Sequence, residues 1–237
     1  MYHSLKTGRK HRSCLRSTLQ FAALTAIIIS VILTPCSAEP ITEADTSFII
    51  DPGHGGLDGG AISSDGVQES GINQAIGDRI YALFRIFGVN ALLTRSSEAL
   101  DYPENQVSIH AKKAWDLKRR AELVNSCPNA VLLSIHQNSF PDLRPNGTQV
   151  FYGSVEGSKR LGELLQSNLT ACLCPDNRRV AAPVSAKNYL LNSVKCPAVL
   201  IECGFLSNPQ EAAKLADSAY QTALAAVILA SCLQYRN

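Results

Sequence analysis

Residues 47–61 read SFIIDPGHGGLDGGA, an apolar run followed by a glycine-rich loop around His54. The apolar residues at the start are typical of a buried strand, and the glycines after it allow positive backbone φ angles. No G-K-[ST] follows the loop, and its glycine spacing does not match G-x-G-x-x-G. The stretch therefore predicts a strand that opens into a loop at His54, and it excludes the common phosphate and dinucleotide motifs.

Outward from this stretch, strand-like and helix-like segments alternate along the chain. The predicted strands are residues 47–51, 89–94, 131–136, 148–152, 189–191 and 198–202. The predicted helices are approximately residues 68–87, 109–125, 155–172 and 210–234. Apolar strands separated by amphipathic helices are typical of a parallel sheet that is covered on both faces. We predict a single α/β domain with a mainly parallel sheet of about six strands and helices on both faces.

Composition and charge narrow the classes of function. The 237 residues are 46% hydrophobic and 18% charged, which excludes a disordered chain. The formal net charge is +2, but residues 1–38 hold five basic residues and no acidic one. The remaining 17 basic and 20 acidic residues give residues 39–237 a charge of −3. Because nucleic-acid binders concentrate positive charge on the folded domain, we predict no nucleic-acid partner.

The N-terminal segment has the pattern of an export signal. Basic residues precede the apolar run FAALTAIIISVILT at residues 21–34, and small residues follow as far as Ala38. This run is shorter than the roughly 20 residues that span a bilayer. We predict a signal peptide over residues 1–38, with an N-terminal membrane anchor as the alternative, and a linker over residues 39–46. The positive charge before the run places the rest of the chain beyond the cytoplasmic membrane.

Three predicted strands end in a side chain suited to chemistry. His54 follows the first strand, His136 ends VLLSI, and Glu202 ends AVLI. If these strands are parallel, their carboxyl ends meet at one edge of the sheet, where open α/β folds bind ligands. Two histidines and a carboxylate form a common catalytic zinc site. Spacing alone leaves the ligand carboxylate open between Asp51, Asp58, Asp65 and Glu69.

Several blocks of the sequence resemble a known enzyme family. They are DPGHGGLDGGA, DGVQES with Asn73, LLTR, LKRRAELVN, SIHQNS, GTQVFY and AVLIECGFLSNPQEA. In this order, over residues 47–237, they resemble zinc-dependent N-acetylmuramoyl-L-alanine amidases. The resemblance implies that His54, Glu69 and His136 bind Zn²⁺. It also implies that Glu202 is the catalytic carboxylate of a zinc amidase domain.

Other residues carry weaker expectations. The chain departs from the family at SGIN after Glu69 and at Gln137, and we expect neither departure to touch a ligand. We predict that Arg95 and Asn138 bind substrate, with a structural ion pair and a turn cap as their respective alternatives. Arg120 is predicted to anchor a loop.

A narrower resemblance concerns residues 108–125, SIHAKKAWDLKRRAELVN, which are similar to germination-specific amidases of spore-forming bacteria. It implies cleavage of the amide between N-acetylmuramic acid and L-alanine in spore-cortex peptidoglycan, on the way to muramic-δ-lactam. The implied location is the cell wall or the intermembrane space of the developing spore. A vegetative autolysin, a zinc peptidase that cuts the peptide stem and a non-catalytic wall-binding module remain alternatives. Membrane contact through the N-terminal segment and an activating or recruiting protein partner also remain open.

Overall fold

The computed structural model describes residues 46–104 and 108–237. The predicted signal peptide or anchor and nearly all of the predicted linker lie outside these residues. The strands are β1 Ser47–Pro52, β2 Ala91–Leu93, β3 Ala130–Asn138, β4 Gln149–Tyr152, β5 Ala182–Pro183 and β6 Ala198–Phe205. The helices are α1 Glu69–Ile86, α2 Ile109–Ser126, α3 Ser158–Leu173, α4 Tyr189–Ser193, α5 Pro209–Ala216 and α6 Ser218–Arg236.

The strands form one six-stranded sheet in the order β2-β1-β3-β6-β4-β5. All neighbouring strands run parallel except β4, which is antiparallel to β6. The predicted α/β domain with a mainly parallel sheet is therefore confirmed. Its register places Asp51 beside Ser134 and His136 beside Glu202.

Helices cover both faces of the sheet, as the apolar pattern predicts. Phe48 and Ile50 of β1 pack in the core that α1, α3 and α6 form on one face. Ile49 packs on the other face, in a smaller core with residues of α2 and α4. Because side chains alternate along a strand, Asp51 extends the α2 face beyond Ile49. By the same alternation Ser134 and His136 continue that face on β3, and Glu202 continues it on β6.

Two predicted elements were wrong, and capping residues explain both. Residues 189–191, predicted as a strand, form part of helix α4, whose N-cap Asn188 accepts a hydrogen bond from the backbone N–H of Leu191 at 2.9 Å. So short an apolar run fits either a strand or a helix. The single helix predicted over residues 210–234 is divided at Asp217, which caps α6 by accepting from Ala219 and Tyr220. An Asp at an N-cap satisfies backbone donors that would otherwise be unpaired.

The two-residue edge strand β5 was not predicted from the sequence. Within the described ranges, no single helix is long and apolar enough to cross a membrane, and only the pair α5 and α6, bent by 80°, meets that test jointly.

Cysteines 127, 172, 174, 196, 203 and 232 are all free thiols.

Candidate metal centre

The loop after β1 holds His54 in an unusual backbone conformation. His54 has φ 60°, and Gly55 and Gly56 after it have φ 122° and 59°. Positive φ is sterically unfavourable for a histidine, so the surrounding structure must hold the residue in this conformation. Arg120 does so by donating a hydrogen bond to the His54 carbonyl at 2.6 Å, and Arg95 donates to the carbonyl of Gly53 at 3.1 Å.

The imidazole of His54 lies between two carboxylates. Its Nδ1 is 2.9 Å from Asp58 Oδ2, and its Nε2 is 3.2 Å from Glu69 Oε2. Lys113 Nζ lies 2.8 Å from the same Asp58 oxygen and so tethers that carboxylate to α2. Burial lowers the pKa of His54, but hydrogen bonds and charge from Asp58 and Glu69 outweigh it and raise this pKa to about 9. Asp58 therefore fixes the orientation of the ring from the side opposite Glu69.

Glu69 begins α1 and reaches both histidines. It is only 3% exposed, and its Oε1 lies 3.0 Å from His136 Nδ1. Oε1 also accepts from the backbone N–H of Gln137 at 3.0 Å, and Oε2 accepts from the backbone N–H of Ala61 at 2.9 Å. Burial raises the pKa of this carboxyl, yet the contacts with His136 and His54 overcome that effect and lower it. Glu69 is therefore a charged carboxylate in a buried position.

The three side chains together offer a metal-binding group. One ligand atom from each of His54, Glu69 and His136 lies within 4.8 Å of the other two. The imidazole centroids are 4.9 Å apart with their planes at 75°. Two imidazoles and a carboxylate that converge in this way fit the nitrogen and oxygen donors that zinc takes in catalytic sites.

Glu202 lies beside this group on the neighbouring strand. It is the register partner of His136, and within the described residues its buried Oε2 has no hydrogen-bond partner. Burial is the main cause that raises the pKa of Glu202 to about 7, and the negative charge of Glu69 adds to it, while the two histidines oppose it. A carboxyl group with such a pKa can accept and release a proton near neutral pH.

The structure also distinguishes between the four carboxylates that spacing alone left open as the metal ligand. Asp51 accepts hydrogen bonds from Thr94 and Ser134 at the base of the site, and Asp65 is exposed. Asp58 contacts His54 from the outer side. Of the four, only Glu69 contacts both histidines.

Comparisons with known proteins agree with this geometry. The sequence profile of the family described as N-acetylmuramoyl-L-alanine amidase matches residues 48–233. The chain belongs to this family. It is a peptidoglycan amidase by membership, and the matched residues include the whole of the candidate site.

Individual relatives show the same likeness. The chain is 33% identical to the germination-specific N-acetylmuramoyl-L-alanine amidase of Bacillus subtilis over 187 residues, which cover 78% of each protein. It is 30% identical to the amidase LytC of the same organism over 80% of this chain, but it spans only 35% of that relative. Among solved structures, the CwlD amidase from Clostridioides difficile, in complex with the GerS lipoprotein, superposes with a TM-score of 0.77. That structure is 35% identical, over 81% of this chain and 98% of its own.

Arg95 and Asn138, the two residues predicted to bind substrate, both make contacts within the protein. The Arg95 guanidinium is 1% exposed and donates to the carbonyls of Pro52, Gly53 and Ser70. It also contacts Gln74 and Glu98, and a role of Arg95 in binding substrate stays a prediction. Asn138 accepts from the backbone N–H of Ser139 at 2.9 Å and thus caps the turn, while its contact with substrate stays a prediction.

The expectation that neither departure touches a ligand was wrong for both, since Asn73, the last residue of SGIN, and the backbone N–H of Gln137 both donate to Glu69 Oε1. Besides this backbone bond, the side chain of Gln137 donates to Asn73 Oδ1 at 3.0 Å. Asn73 in turn donates to Glu69 Oε1 at 3.2 Å and to the carbonyl of Gly53. The loop-anchoring role predicted for Arg120 is confirmed. No sequence signal identified the contact between Lys113 and Asp58, because it depends on how α2 packs against the loop.

Proposed function

We propose that this chain is a zinc-dependent hydrolase that cleaves the amide between N-acetylmuramic acid and L-alanine in peptidoglycan. The observation that carries the proposal is the convergence of His54, Glu69 and His136 next to Glu202, whose buried Oε2 has no hydrogen-bond partner among the described residues. These donors fit zinc, and the family membership supplies the substrate class.

The chain's own residues have distinct parts in the reaction. Zinc in such a site acts as a Lewis acid that polarises a carbonyl oxygen and makes water nucleophilic near neutral pH. Glu202 accepts a proton from the attacking water at its unpartnered Oε2. It then delivers this proton to the L-alanine nitrogen as the C–N bond breaks, so that a carboxylic acid and an amine are formed. Asp58 and Lys113 hold the ring of His54 in one orientation throughout.

The substitution Glu202→Gln tests this assignment. Because the amide cannot accept the proton, we expect turnover to fall by about 10²- to 10⁴-fold while zinc content stays at the wild-type level. Release of intact stem peptides from purified peptidoglycan is followed by mass spectrometry, with and without a chelator and after zinc is added back. Loss of zinc from the variant would place Glu202 among the ligands and contradict the assignment.

For the biological substrate we propose spore-cortex peptidoglycan, with the domain exported to the cell wall or to the intermembrane space of the developing spore. The likeness to the germination-specific amidase of B. subtilis and to CwlD supports this choice over a vegetative autolysin. The complex of CwlD with a lipoprotein supports an activating or recruiting protein partner for this chain as well.

Digestion of two kinds of sacculi distinguishes these substrates. Cortex sacculi and vegetative walls are incubated with equal amounts of enzyme, and faster release of stem peptide from cortex is expected. Equal rates, or faster release from vegetative wall, would favour the autolysin. Products cut within the stem would instead indicate the peptidase.

A further inference from the structure

A cleft beside the two histidines has a charge pattern that the hydrolytic reaction does not explain. It has a volume of about 240 Å³, and both His54 and His136 line it. The segment that enters α4, including Lys187 and Tyr189, also lines this cleft. The cleft therefore adjoins the candidate metal site and offers space for part of a bound substrate.

Each acidic residue that lines this cleft forms an ion pair with a basic side chain. Asp51 and Asp116 lie 2.9 and 2.6 Å from the buried guanidinium of Arg120. Asp58 lies 2.8 Å from Lys113. Lys187 takes part in none of these ion pairs.

Lys187 is the exception among the charged residues lining the cleft. Its side chain is exposed, and within residues 46–104 and 108–237 its ammonium has neither an ion pair nor a hydrogen bond. A positive charge without a partner, in the same cleft as the two histidines, favours an anionic group of the ligand.

We propose that Lys187 binds a carboxylate of the peptide stem and so makes the enzyme select stems by the charge of their second residue. This inference rests on the proposed amidase function. In peptidoglycan the residue after L-alanine is a D-glutamate linked onward through its side chain, so its α-carboxyl group is either free or amidated. Two residues span at most about 7 Å, so this group stays close to the amide that is cut.

The test uses two muropeptides that differ only in this group. One disaccharide-tripeptide carries D-glutamate with a free α-carboxylate, and the other carries D-isoglutamine. With the full-length, zinc-loaded chain we expect a KM about three- to fivefold lower for the free carboxylate and a similar kcat, since a solvent-accessible ion pair has an effect of that size. The difference should shrink as the salt concentration rises.

Lys187→Gln should raise the KM for the carboxylate substrate to that for the amide, and Lys187→Arg should keep the preference. Lys195→Gln is the matched control, because Lys195 is exposed, loses the same charge and does not line the cleft. Equal KM values in the wild type, or a preference that survives in Lys187→Gln, would overturn the proposal.

A binding measurement separates this proposal from the amidase function itself. Calorimetric titration of both muropeptides into Glu202→Gln, with and without Lys187→Gln, measures the preference without turnover. If neither muropeptide is hydrolysed by the wild type, the amidase function fails, whereas the binding preference still supports or refutes the role of Lys187.

Discussion

Replacing Arg120 with Met should destabilise both the fold and the loop that carries His54. The guanidinium is 2% exposed and lies 2.9 Å from Asp51 and 2.6 Å from Asp116. It also donates to the carbonyls of Pro52 and His54 at 2.8 and 2.6 Å. One side chain thus compensates two buried carboxylates and fixes the backbone on either side of Gly53.

The size of the effect follows from what remains after the substitution. Burial raises the pKa of Asp51, while Arg120 together with hydrogen bonds from Thr94 and Ser134 lowers it below its usual value. Without Arg120, a fully buried carboxylate keeps only two hydroxyl donors. Loss of one partner from a buried ion pair costs about 3–5 kcal/mol. For a chain of 237 residues this corresponds to a fall in Tm of about 6–20 °C.

Thermal unfolding followed by circular dichroism, together with zinc content, measures both consequences. Arg119→Met is the control, because this neighbouring guanidinium has a side-chain exposure of 44% and lies 4.0 Å from Asp116. Its loss should cost at most about 1 kcal/mol. Adding Asp51→Asn to Arg120→Met should recover part of the stability, since it removes a buried charge. A Tm of Arg120→Met equal to that of Arg119→Met, or a double variant less stable than the sum of its single changes, would refute this reasoning.

Three further results are expected. Asp58→Asn should weaken zinc binding by about 10- to 100-fold in a chelator competition, because it removes the carboxylate that orients His54, and unchanged affinity would argue against that role. Gly60→Ala should lose zinc, as measured by mass spectrometry of bound metal, because the added Cβ would lie 2.5 Å from the ligand carboxylate. Gly66→Ala is the control and should keep its zinc, because Gly66 also has positive φ but no atom lies within 4 Å of the added Cβ. Equal zinc loss in the two variants would indicate backbone strain as the cause. Burial raises the pKa of Cys196 to about 11, so this thiol ionises at a lower pH in the unfolded chain than in the folded one. Ionisation then favours the unfolded state, and the urea concentration at the unfolding midpoint should decrease as the pH rises from 9 to 11. Cys196→Ser should reduce that fall, and an identical pH dependence in this variant would exclude the thiol as its cause.

The sequence predicted the parts of the site that depend on strands. His136 and Glu202 end apolar runs, and β3 and β6 are parallel neighbours, so alternation alone brings the two side chains to one face. The place of Glu69 in the site could not be predicted in this way, since it depends on the path of the loop before it. Bridges between Gly55 and Asp58 and between Ile62 and Gln68 fold this loop back on itself and return Glu69 to the histidines. Nothing in the spacing of the residues encodes that path.

Buried guanidinium groups were harder still to interpret. For Arg95 the sequence offered no means to choose between a substrate role and a structural role, because the same side chain serves both. The choice depends on three backbone carbonyls that converge only in the folded chain. Arg120 was easier, since it lies within an amphipathic helix whose inner face must pack on the sheet.

The pairing of His136 with Glu202 across two adjacent strands limits how this enzyme can change. A slip of one residue between those strands would turn one of the two side chains to the opposite face, and a slip of two would draw them apart by about 7 Å. Sliding the strands therefore cannot adjust the spacing of these two side chains gradually. The irregularity that interrupts the register between His136 and Asn138 begins just after the pair and leaves His136 aligned with Glu202.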